Sequence, residues 1–254
     1  MSKKILFCTL FILIFLIPLK QDSNAKSWER HNTMVLADSL LAAIDRGDSI
    51  IIDSCEIFGL LIKEAHWERP DTVNSSISIS NSTFYDSVSL ENCYFMEDVS
   101  FYCDTLSEDV NFPYATFTKD VNFRGTAFRG STCFTYSTFC RHVNFDSTTF
   151  SEEVDFFDAR FSGETDFWHT TFVEQVSFWH TTFNENADFL YTTFGGIVNF
   201  WHTTFNGNAN FSYTTFGNEA FFLGTAFNRK INLSPVEFKN IIYILGATQE
   251  SSDV

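Results

Sequence analysis

Three Trp-His pairs recur in one stretch of this chain: Trp168-His169, Trp179-His180 and Trp201-His202. Leu190-Tyr191 and Ser212-Tyr213 fall at the same place in neighbouring repeats. Imidazole can ligate a metal or move a proton. Indole and phenol rings have an apolar body and a polar edge, which suits a sugar face or a protein partner. The candidate binding residues are therefore Trp168, His169, Trp179, His180, Tyr191, Trp201, His202 and Tyr213. The plain alternative is that duplication copied these residues and that they shield the edges of a repeat structure. A metal site wants three or four ligands. His180 and His202 with Asp158 nearby fall short of a built site, so no metal is expected. His142 adjoins Arg141, but nothing completes a catalytic triad, and there is no Gly-rich phosphate loop or His-Glu-x-x-His motif. Neither an enzyme nor a cofactor is expected.

The elements that must position these residues follow from a second pattern. From Phe112 to Phe238 a large apolar residue falls alternately every five and six residues, with Leu233 in place of one phenylalanine. The eleven-residue unit reads Val121 to Ser131, and again Val176 to Asn186 and Val198 to Asn208. Two positions before each anchor sits a small or β-branched residue, such as Val121, Thr126, Ser137, Val154 or Ala159. Residues i and i−2 of an extended chain point the same way, so each pair faces inward together. The residue between them, such as Asn122, Asp155, Asp188 or Asn210, faces out. Alternating spacings of five and six cannot hold one face of a helix, and Phe, Thr and Val favour strands.

One unit per coil would press two Phe side chains into a tube too thin for them. Two units give a coil of twenty-two residues with four short faces, so that residues twenty-two apart stack at about 4.8 Å. Phe123, Phe145, Phe167, Phe189 and Phe211 then form one column, and Phe134, Phe156, Phe178, Phe200 and Phe222 the opposite one. Trp179 and Trp201 stack on one side with His180 and His202, while Trp168, His169, Tyr191 and Tyr213 lie on the other. A weaker register continues upstream through Leu106, Phe101, Phe95, Leu90, Phe84 and Ile79. Val73, Trp67, Ile62, Ile57 and Ile52 make an irregular first coil. About eight coils are expected, a rod of roughly 40 Å.

Val121-Asn122-Phe123, Val154-Asp155-Phe156, Ala187-Asp188-Phe189 and Ala209-Asn210-Phe211 resemble the unit of the pentapeptide-repeat proteins, small–Asp/Asn–Leu/Phe–x–x. Thr170-Thr171-Phe172 and Thr203-Thr204-Phe205 fit more loosely. The resemblance implies an all-β fold, a right-handed quadrilateral β-helix, acting as a scaffold with no shared enzymatic activity. It also admits the acidic DNA mimics that bind gyrase. Every second unit here departs from the family pattern by one residue, and Ser131, Glu153, Glu164, Gln175 and Asn186 are expected to bulge at corners.

The ends read differently. Lys3 and Lys4 precede an apolar run from Ile5 to Leu19, and Ser23-Asn24-Ala25 supplies small residues for cleavage, so residues 1–25 read as a secretory signal peptide. Left uncleaved, the segment would tether the chain to a membrane, although it is short for spanning. Residues 26–50 are expected to hold a capping helix, Met34 to Arg46, and a linker, with Asn32 or Thr33 capping the helix start and Leu36, Leu40 and Ile44 sharing a face. Residues 51–240 form the β-helix. Residues 241–254 form a C-terminal cap, from Ile241 to Leu245, and a flexible tail; that cap would close the last layer or pair with a second molecule.

The chain has 16 basic and 32 acidic residues. Loss of Lys3, Lys4, Lys20 and Asp22 with the leader leaves 13 and 31, a net charge of −18. Such acidity opposes nucleic-acid binding and favours basic partners. Five cysteines remain; Cys55 and Cys93 fill inward positions, and Cys133 and Cys140 are placed for a disulfide in an oxidising compartment. Thr149, Thr171, Thr193 and Thr215 form one outward row like that of ice-binding β-helices, but single where those are paired. The chain is therefore expected to be an exported, non-enzymatic scaffold that binds a protein or envelope surface, with a glycan as the alternative ligand.

Overall fold

The computed structural model describes residues 27–64 and 69–249. The expected leader, Trp67 and residues 250–254 lie outside the described residues. Strands pair only with strands of neighbouring coils, always in parallel, in four sheets of ten, nine, ten and nine strands. The chain is a right-handed quadrilateral β-helix. Register is constant from Asp71 onward: Val121 pairs with Val143, Val143 with Thr165, and Thr182 with Thr204. The first face carries Val143-Asn144 and Thr165-Asp166, and the second carries Thr149-Phe150 and Thr171-Phe172. The third carries Val176-Ser177 and Val198-Asn199, and the fourth Thr182-Phe183 and Thr204-Phe205.

The Phe anchors from Phe84 to Phe216 are buried inside the coil. Within a column the rings lie parallel: Phe156, Phe178 and Phe200 follow one another at 5.0 and 4.9 Å, with planes 4° and 3° apart. Between columns they meet edge to face, Phe178 to Phe167 at 82° and to Phe189 at 85°. Offset stacks and T-shaped contacts are the two favourable aromatic geometries, and the square tube satisfies both at once.

A second ladder is polar. Thr148, Thr170, Thr181, Thr192, Thr203 and Thr214 are buried, and each hydroxyl donates to the carbonyl of a Phe twenty-five residues earlier at 2.6 to 2.7 Å. That carbonyl also accepts the backbone N–H closing its own corner, as the Phe178 carbonyl does from the Thr181 N–H. Both lone pairs are thus used inside an apolar tube. Thr181→Val keeps the shape and removes the donor to Phe156, so urea denaturation should show a loss of about 1–3 kcal/mol.

The coil count exceeds the sequence expectation because regular winding begins earlier and ends later. β1 (Ser27–His31) pairs with Ser49–Asp53, and β2 (Met34–Leu36) with Glu56–Phe58. At the far end Ile242–Tyr243 and Thr248–Gln249 still pair with the preceding coil. Ten rungs span about 43 Å at the usual strand spacing.

The helix α1 is shorter than expected, Ala37–Asp45. Met34–Leu36 is drawn into a sheet, so Leu36 is exposed instead of joining the buried face of Ala37, Leu40, Ala43 and Ile44. Neither Asn32 nor Thr33 caps the helix; its N-cap is Leu36, without a side-chain bond, and Asp38 in the first turn complements the helix dipole. Ala and Leu favour helix. This helix replaces the third and fourth strands of the first coil and packs on Leu61–Glu64, covering edges that would otherwise be open. Lys63 fastens it: its ammonium reaches Asp45 at 2.5 Å and Asp71 at 2.7 Å. Burial pulls the Lys63 pKa down, but these two carboxylates hold it above its ordinary value. Lys63 pairs with Leu90 and so takes an inward register, and Leu61 is the buried residue of that strand in place of the expected Ile62.

Candidate functional site

The two kinds of half-unit make two kinds of corner. In the five-residue kind the residue two after the anchor adopts a left-handed backbone, and an N–H to C=O bond closes the turn, as from Thr203 to Phe200. That left-handed residue is His169 (φ 54), His180 (59), Tyr191 (59), His202 (54) or Tyr213 (57). Tyr and His lack glycine's freedom there, and the conformation costs about 1–2 kcal/mol each. The six-residue corners, where the extra residue sits, carry neither feature among the described residues from Phe112 onward.

A further group holds each turn. The N–H of Trp168 donates to Asp166 at 2.8 Å, that of Leu190 to Asp188 at 2.9 Å and that of Trp201 to Asn199 at 2.9 Å. This bond satisfies an N–H that no strand partner reaches, and it explains why Asp or Asn precedes the anchor in five-residue units while Thr suffices in the others. Burial raises the carboxyl pKa of Asp155 and Asp166, with the N–H bonds from Phe157 and Trp168 acting against it. Asn199→Ala should cost about 1 kcal/mol by thermal unfolding, and Asn199→Asp should largely retain stability.

The eight candidate residues divide between two diagonally opposite corners. On the corner between third and fourth faces, Trp179 and Trp201 stack at 5.7 Å and 18°, and His180 and His202 lie 5.2 Å apart. The twenty-two-residue closure places Phe157 ahead of Trp179 in this row; sequence reasoning missed that the row runs on to Tyr136 and Tyr114. Tyr114 and Tyr136 stack at 4.9 Å, Tyr136 meets Phe157 at 5.2 Å, and Phe157 meets Trp179 at 5.0 Å. Tyr114 and Tyr136 each stand two residues after an anchor, as His180 does, and that offset was the available signal. On the opposite corner His169, Tyr191 and Tyr213 stack at 4.8 and 4.7 Å, with Trp168 against His169.

This geometry restricts the chemistry. Parallel rings so close must overlap face to face, because coplanar rings at those distances would collide. Trp179 stacks on Trp201 and is tilted by 53° to Phe157, whereas Tyr191 is sandwiched between His169 and Tyr213. The stacked pairs therefore offer ring edges to solvent. Among the described residues no three His, Cys, Asp or Glu side chains come together to hold a metal. All five described cysteines are free, so the disulfide that the positions of Cys133 and Cys140 allow is not formed; Cys133 contacts Thr135 instead. Cys55 and Cys93 are buried, and burial raises the Cys93 thiol to about 12. The outward threonines of the second face are half-buried and remain a single row.

A continuous parallel four-sided solenoid with inward aromatic columns defines a repeat scaffold. The family model for pentapeptide repeats (9 copies) matches residues 112–160 and 145–193, so this stretch consists of pentapeptide repeats, and the same register runs on to either side of it. No curated protein matches the sequence. Among solved structures, HetL, a pentapeptide repeat protein involved in heterocyst differentiation regulation from the cyanobacterium Nostoc sp. strain PCC 7120, is 11% identical. The match covers 89% of each chain, with a TM-score of 0.26.

Proposed function

We propose that this chain is an exported, non-enzymatic scaffold that binds a protein partner along the aromatic ridge between its third and fourth faces. The observation that carries the reading is the ridge itself: a run of ring contacts from Tyr114 to Trp201 in which Tyr114, Tyr136, Trp179 and Trp201 are exposed and Phe157 is half-buried. Glycan binding is disfavoured because sugars stack on ring faces, and the facing sides of Trp179 and Trp201 cover each other. Nothing in the corners favours gyrase mimicry over this reading. Export rests on the sequence of residues 1–25; no helix among the described residues is long and apolar enough to cross a membrane.

A photo-crosslinking residue placed at Trp179 should capture a defined partner from the envelope of the native host, whereas the same group at Thr171 on the second face should not. Equal capture from both positions, or capture of neither, would remove the ridge from consideration. Fractionation and mass spectrometry of the mature N-terminus test export separately. A second copy is a further partner: inward positions of the last coil, Leu233 and Ile244, are 48% and 66% exposed. Sedimentation should show a dimer that Ile244→Asp dissociates.

A further inference from the structure

Beside the Trp201 end of the ridge, the third face is hollowed into a groove of about 440 Å³. Trp201 and Leu223 form one bank, Gln175 and Ile197 the other. Ser177, Asn199 and Phe221 make the floor. Trp201 is 42% exposed and Ile197 37%. Toward the C-terminal end the apolar surface continues, with Tyr243 stacked on Phe221 at 4.5 Å and 3° and with Ile241 and Leu245 exposed.

Toward the N-terminal end the same face becomes acidic. Asp155 precedes Ser177 in the floor column. Glu152, Glu153 and Glu174 lie exposed at the bank, and Asp158 at the ridge. The stretches 151–158, 173–180, 195–202 and 217–224, which build this face and its corners, contain no Lys or Arg. On the bank at the apolar end Glu219, half-buried, stands between Ile197 and Ile241, so one continuous surface is mainly apolar at one end and more strongly anionic at the other.

We infer that the third face binds an extended peptide segment carrying large apolar side chains at one end and Lys or Arg a few residues away. This rests on the ridge as a docking edge and specifies the chemistry of what docks there. Asp155 and Phe221 stand three rungs apart, about 14 Å, which an extended chain covers in four or five residues. Ser177, Asn199 and Gln175 supply polar partners for the peptide backbone, and a Lys or Arg beside Asp155 would offset the burial of that carboxyl. A second copy of this chain does not suit this face: with a net charge of −16 it would bring like charges together.

Random dodecapeptides displayed on phage and panned against the full chain test this. Enriched peptides should place Leu, Phe or Trp four or five positions from Lys or Arg. Synthetic versions titrated by tryptophan fluorescence should lose at least about tenfold in affinity on Ile197→Asp. The double variant Glu153→Gln with Glu174→Gln should weaken binding severalfold and flatten its salt dependence, while Tyr191→Ala on the opposite corner should change nothing. Circular dichroism checks that each variant keeps its fold. Enrichment of acidic or uncharged peptides, no enrichment, or affinity indifferent to Ile197→Asp overturns the inference. Peptides without basic residues that are nevertheless lost on Trp179→Ala would leave the ridge reading standing and the peptide chemistry refuted. Indifference to both variants would end both.

Discussion

Exchange of Asp104 for threonine is expected to stabilise the solenoid by a margin that widens as the pH rises from about 4 to about 8. Asp104 stands where the hydroxyl ladder would place a threonine, one coil before Thr126. It is buried, its Oδ1 accepts the Ser82 N–H at 2.7 Å, and its Oδ2 has no partner. Burial, with the charge of Asp53 adding to it and the Ser82 bond opposing it, pushes the carboxyl from 3.8 up to about 8. The unfolded chain releases this proton near the ordinary value while the folded chain keeps it. Stability from this group is therefore complete below about pH 4, falls through the interval at no more than about 1.4 kcal/mol per pH unit, and is level above about pH 8. In its protonated form Asp104 can donate to the carbonyl of Ile79 as threonine does at later coils. Asp104→Thr makes that donor permanent. Urea denaturation of both proteins at several pH values, with amide exchange at Thr105 and Ala127 to localise the effect, should show diverging curves; parallel ones would refute the assignment.

Phe178→Ala should be among the most damaging single truncations of this chain, costing about 3–5 kcal/mol. Its ring stacks on Phe156 and Phe200, meets Phe167, Phe172 and Phe189 edge-on and lies tilted against Phe183, so removal leaves a void bounded by rings held in their own columns. In a solenoid each coil is stabilised by its two neighbours, so a central loss also weakens the coupling between the halves. Phe178→Leu fills more of the space and should cost clearly less. Phe238 provides the internal comparison: it stacks on Phe216 at 4.7 Å but is 37% exposed, and its truncation should be mild. Denaturant midpoints of the three variants check the order; equal losses at Phe178 and Phe238 would contradict it.

The winding was readable in the sequence because burial is nearly binary here. Each Phe, and the small residue two before it, had one place to go, and the twenty-two-residue closure followed from ring size. The first coil was hidden because Ser27–His31 and Met34–Leu36 carry no phenylalanine and are separated from the next coil by a helix. Lys63 was missed for a different reason: an inward lysine violates the pattern unless Asp45 and Asp71, one of them on that helix, are known to meet it. The corner residues were legible as a row, but their left-handed backbone was not, since Tyr and His give no local warning of it. The role of the Asp and Asn residues was half legible. Their outward direction came from alternation, whereas their bond to the N–H two residues on depends on a turn that only the folded chain displays.

The constant register gives the molecule a property beyond any single site. Val176 to Asn186 and Val198 to Asn208 differ little, and each coil meets its neighbours through the same offsets. Excising or inserting one whole coil would rejoin equivalent surfaces, so the distance between the two tips can change in graduations of about 4.8 Å without redesigning either. Such a chain is a ruler whose markings are its own windings.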